Sequence, residues 1–125
     1  MYDKLLALET LKNIEESMNE VIEWTININY AEDFYKSNEG MILLNAVCMK
    51  LLAVGEEIKG LDRRTKGELL KNYKSIPWKQ IMGLRDIIAH HYFSLDASVI
   101  FSVLKSDIDP LLEVIQQITA DLRLS

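Results

Sequence analysis

Cysteine is almost absent from this chain. Cys48 stands alone, so neither an internal disulfide nor a cysteine-based metal site is available. It lies among apolar residues and reads as a small core residue rather than a nucleophile. Two prolines and five glycines supply few of the turns that an all-β fold needs. No apolar run approaches the length of a membrane span. There is no glycine-rich phosphate loop and no cluster with metal-ligand spacing, so the reading includes neither a cofactor nor a metal. Positive charge is also short. A formal net charge of -5 argues against a general binder of DNA or RNA, which would carry basic stripes. It leaves room for an enzyme that grips RNA at one local site. Met1-Tyr2-Asp3-Lys4 leads straight into amphipathic pattern without signal-peptide architecture. With the lone cysteine, this gives the expectation of a cytoplasmic protein.

The residues that are present spell helices. A chain of 125 residues is long enough for one domain, 1–125, with a genuine core. Leu5, Leu8, Leu11, Ile14, Met18, Val21 and Ile22 recur at spacings of three and four, predicting a first helix from Met1 to about Trp24. Thr25 to Ser37 reads as a connection with one helical turn around Ala31–Tyr35, Phe34 and Tyr35 packing back. Ser37 or Asn38 caps a second helix, from about Glu39 to Lys59, with Gly60 as its C-cap. Its apolar face is wide, which fits burial on two sides in a bundle core or a dimer interface. Gly55 inside it points to a close helix crossing or a backbone contact. Asp62 to about Tyr73 reads as a short third helix over the rim. It is basic, through Arg63, Arg64, Lys66, Lys71 and Lys74. That charge reads first as a solvated face, and otherwise as a weak patch for phosphates. Pro77 opens a helix that ends near Tyr92, with Trp78, Ile81, Leu84, Ile87 and Ile88 inward. Asp96 caps Ala97–Ser106, with Val99, Ile100, Val103 and Leu104 inward. Asp109-Pro110 marks a kink or restart before the last helix. The fold class is therefore all-α: an antiparallel bundle of four main helices plus a short one.

One segment concentrates reactive groups: Gly83-Leu84-Arg85-Asp86-Ile87-Ile88-Ala89-His90-His91-Tyr92. Both histidines of the chain lie in it. Asp86 and His90 are four apart and share a helix face, where a carboxylate would orient the imidazole. Arg85 lies roughly 140° from His90 around an ideal helix, within partial reach of its long side chain. Tyr92 lies seven residues from Arg85, almost directly below it. Arginine forks phosphate, and histidine moves protons near neutral pH. Together they suit cleavage of an RNA phosphodiester, which requires no metal. The plainer alternative is a surface pair, with basic residues in a last turn complementing the helix dipole.

With its flanks, the segment resembles the HepT-like branch of the HEPN superfamily. The shared signature is Arg85, four residues, His90, then His91-Tyr92, with Ile76-Pro77-Trp78 and Phe93-Ser94-Leu95-Asp96 around it. Val54-Gly55-Glu56 resembles the family's second-helix pattern. The position after the arginine is commonly Asn in that family and is Asp86 here. The resemblance implies a HEPN-like helical bundle and a metal-independent endoribonuclease acting as the toxin of a toxin–antitoxin pair. It implies Arg85 and His90 as catalytic residues, supported by Asp86, and a homodimer with two motifs facing across a cleft. It also implies a nucleotidyltransferase antitoxin that silences the toxin by transferring AMP to Tyr92. A different class of reading is a non-catalytic helical partner or regulatory subunit of a nucleotidyltransferase.

Overall fold

The computed structural model describes residues 2–125, and among them no strand occurs. Five α-helices follow in order: α1 Lys4–Trp24, α2 Asn38–Arg64, α3 Trp78–His91, α4 Ala97–Ser106 and α5 Ile108–Leu124. The shortest, α4, has 10 residues and is not the short helix expected over Asp62–Tyr73. Local chemistry sets the starts. The Asp3 carboxylate accepts from Leu6 N–H, the Ser37 hydroxyl from Gly40 N–H at 3.0 Å, and Asp96 from Ser98 N–H at 2.9 Å. Each satisfies an amide that has no partner inside its helix.

Polar links fix the directions. Arg64 of α2 donates to Thr10 of α1, and Lys50 pairs with Glu20, so α1 and α2 run antiparallel. Gln116 of α5 donates to Glu15, and Lys4 to the Ser125 carbonyl, so α5 returns along α1. Leu11, Ile14, Met18, Ile58, Leu61, Ile115 and Ile118 form the core between them. A second cluster of Val21, Val47, Leu51, Ile88, Ile100 and Ile108 carries that core under α3 and α4. The turn expected at Ala31–Tyr35 is a 3-10 helix, with Phe34 fully buried. Tyr35 stays half exposed, its hydroxyl accepting from Ala97 N–H at 2.9 Å. That bond ties the start of α4 to the turn.

Several expectations are corrected. Gly60 does not end α2, which continues to Arg64 because Leu61 is fully buried and keeps the helix on the core. The helix closes one turn later. Gly67 N–H reaches the Asp62 carbonyl at 2.9 Å and Lys66 N–H the Arg63 carbonyl at 3.1 Å. Lys66 and Gly67 take left-handed φ of 55° and 72° to do so. The separate helix expected over Asp62–Tyr73 is therefore absent: its first residues belong to α2, and only Leu70–Asn72 form a 3-10 turn. Leu5, Ile87 and Val99 face outward rather than inward. Each keeps the apolar period, but a large part of its side chain stays open to solvent. The restart near Pro110 lies at Asp107, which leaves the proline in the first turn of α5, where its missing N–H has no helical partner anyway.

Candidate active site

Helix α3 crosses antiparallel to α2 at Gly55. A Cβ on Gly55 would stand 3.2 Å from Arg85 Cβ and 3.3 Å from the Ile81 carbonyl oxygen. Its absence lets the two backbones approach, which accounts for a residue that costs about 1 kcal/mol in a helix interior. The crossing sets Arg85 beside Glu56. Arg85 Nε lies 3.0 Å from Glu56 Oε2, and Nη1 donates to Asp86 Oδ1 at 2.8 Å. Nε is itself buried, and its N–H is not aligned on the Glu56 oxygen well enough for a hydrogen bond. The Glu56 contact is thus an ion pair by distance, and the Asp86 contact is both ion pair and hydrogen bond.

These contacts shift proton affinities in opposite directions. The hydrogen bond from Arg85 holds the Asp86 carboxyl below its ordinary value, with smaller pulls from the charges of Lys59 and His90 and an opposing push from burial. Arg85 is raised, first by the bond to Asp86 and then by the Glu56 charge.

Sequence reasoning placed Asp86 under His90. The structure instead turns Asp86 to Arg85, and no hydrogen bond joins it to His90 among the described residues. A guanidinium one residue away outcompetes an imidazole one turn away, because it offers full charge and a donor at short range. His90 and His91 are exposed in the last turn of α3. Within one chain, Arg85 leans on α2 while His90 faces solvent.

Tyr92 opens the 3-10 turn Tyr92–Ser94 beyond α3 and is half exposed. With Ile88 and Ala89 it lines a cavity of about 380 Å³ against Asn45, Cys48, Met49 and Leu52 of α2. It also borders a second cavity, of about 360 Å³, with Tyr35, Met41 and Phe93. Arg85 and Tyr92 thus share the α2-facing side of α3, two turns apart. Phe93 is fully exposed, its ring meeting Tyr92 edge-on with centroids 5.3 Å apart. Among the described residues, no three His, Cys, Asp or Glu side chains converge as a metal site. No described helix is long and apolar enough to cross a membrane. Glu56 was singled out from sequence only within Val54-Gly55-Glu56, and its contact with Arg85 was not foreseen. Its signal was Gly55, a glycine in mid-helix marking where a second helix comes close.

Comparison with known proteins bears on the family. A family model described as "Ribonuclease HepT-like" matches residues 8–118. "Putative RNase MJ1380" of Methanocaldococcus jannaschii is 35% identical over 98 residues, covering 78% of this chain and 83% of the relative. "Probable ribonuclease HepT" of Thermococcus cleftensis is 30% identical over 101 residues, covering 81% of this chain and 84% of that one. No solved structure matches the chain.

Proposed function

Since the chain belongs to the HepT-like ribonuclease family, we propose that it is a metal-independent endoribonuclease toxin in which Arg85 and His90 act on one phosphodiester. The observation that carries this is the division of labour on α3. Arg85 is anchored by two carboxylates, whereas the His90 ring is exposed to solvent. In the reaction, His90 takes the 2′-hydroxyl proton and the 2′-oxygen attacks the adjacent phosphorus. The bond to the 5′-oxygen breaks, and that oxygen receives a proton. Arg85 neutralises the charge on the phosphorane.

One imidazole does not serve as base and acid at the same instant. A homodimer would bring a second His90 to the same phosphate. Outward apolar residues on α2 and beyond α3 offer a surface for that second copy: Met41, Ile42 and Met49, with Phe93. Tyr92 is the proposed acceptor of AMP from a nucleotidyltransferase antitoxin, and its exposure suits such a transfer. A phosphodiester and nucleoside at that position would crowd the α2–α3 groove and compete for Arg85.

A second reading has one observation in its favour. Two carboxylates already face Arg85, so its charge is matched before any RNA arrives. This suits a non-catalytic partner of a nucleotidyltransferase. Purified chain incubated with RNA in EDTA separates the two. The ribonuclease gives fragments ending in 2′,3′-cyclic phosphate, and His90→Ala lowers the rate by about a hundredfold or more. Absence of cleavage, or cleavage indifferent to His90→Ala, favours the non-catalytic reading. Intact mass after incubation with the cognate nucleotidyltransferase, ATP and magnesium tests the acceptor: Tyr92→Phe should lose the AMP adduct, and an adduct equal to wild type removes Tyr92 from that role.

A further inference from the structure

We propose that Glu56 is a positioning residue, holding the Arg85 guanidinium by its Nε edge so that the Nη edge is the one presented to a substrate phosphate. The inference rests on the ribonuclease reading above and concerns how its cation is aimed. Three observations lead to it. First, Nε of Arg85 is buried and makes no hydrogen bond, while a Glu56 oxygen faces it at 3.0 Å. A buried donor in that condition is uncommon and calls for a compensating charge. Glu56 supplies one on a side that a bound phosphate has no access to. Second, Glu56 and Asp86 hold the guanidinium from different directions, one from α2 and one from α3 itself. The group is planar, so two anchors define its plane. What remains free is the Nη2 amino group and the other Nη1 proton. Third, both members of the Glu56–Arg85 pair are partly exposed, with side-chain exposures of 52% and 36%. Ion pairs of that kind add little to stability, so holding the fold together is a weak reason for this one. Orienting a flexible cation is a stronger reason, because a misplaced catalytic group costs rate far more than it costs folding energy.

Charge makes the proposal distinctive. Glu56 repels RNA, yet on this view it speeds cleavage. Removing it should therefore move binding and turnover in opposite directions. For Glu56→Ala, affinity for an uncleavable oligonucleotide with a 2′-deoxy residue at the scissile position should stay equal or rise. Turnover of the matching RNA should fall about tenfold or more. Glu56→Gln keeps an oxygen near Nε and should fall less. Glu56→Asp is one methylene too short to span the same gap and should resemble Glu56→Ala. A merely structural residue would lower binding and turnover together, and a residue that only masks Arg85 would raise both. Either of those outcomes overturns the proposal. A second measurement does not depend on cleavage. In wild type the Arg85 side chain should be ordered at Nε, read as a high heteronuclear NOE of its 15Nε, and Glu56→Ala should lower that NOE. An unchanged NOE in the variant overturns the positioning role even if the ribonuclease reading stands. Conversely, a lowered NOE in a chain that cuts no RNA upholds the Arg85–Glu56 hold and fails only the ribonuclease reading.

Discussion

Neighbouring residues of similar type carry different duties here, and their surroundings decide which. Asp86 spends its hydrogen bond on Arg85, so removing it frees a cation and leaves the proton carrier intact. Asp86→Ala should accordingly reduce RNA cleavage less than His90→Ala does. Equal or greater loss in a side-by-side rate assay would reassign the roles. The tyrosines divide the same way. Tyr73 donates to Asp121 at 2.6 Å, and burial together with that bond pushes its phenol up to about 12. A raised value means the folded state holds the proton more tightly than the unfolded one. The contribution is therefore complete below pH 10, the ordinary phenol value, and fades as pH climbs toward about 12. Tyr73→Phe should cost about 1–2 kcal/mol in urea unfolding near neutral pH, with the gap to wild type closing at the alkaline end. Tyr92→Phe lacks such a partner and should leave the unfolding curve within about 0.5 kcal/mol of wild type.

Helix starts were legible from sequence, and helix ends were less so. Ser37 and Asp96 advertise their role by side-chain chemistry that acts within three residues. The end of α2 depends on Leu61 finding the core from across the bundle, which no local pattern encodes. Gly60 therefore looked like a stop and is helix interior, and the basic run behind it looked like a helix of its own. His90 was legible because both histidines of the chain lie in one segment, and Arg85 and Tyr92 because they stand at fixed spacings from it. The pairing of Glu56 with Arg85 was not, since the two lie on different helices and no local spacing links them. The α2 end also carries a testable strain. Lys66 holds a φ of 55° that glycine adopts without penalty. Lys66→Gly should raise stability by roughly 0.5–1 kcal/mol, seen as a higher urea midpoint at unchanged slope. A lower midpoint would mean the lysine side chain contributes more than its backbone costs.

At the scale of the whole molecule, α2 is the common wall. It packs against α1 on one side and α3 on another, and the turn at Ala31–Tyr35 closes its first end. Its remaining exposed apolar side chains, with Phe93 beyond α3, are the surface proposed above for a second copy. Met49→Glu combined with Phe93→Glu should convert a dimer into a monomer by light scattering, with the helical circular dichroism signal preserved. A wild-type monomer at micromolar concentration would contradict the assignment. The divergence of Arg85 and His90 around α3 then has a consequence for dosage. If a complete set of groups needs two chains, working enzyme follows mass action: well below the dissociation constant, doubling the chain raises the paired form about fourfold. A trace of such a protein would be nearly silent, and a modest surplus would be disproportionately potent.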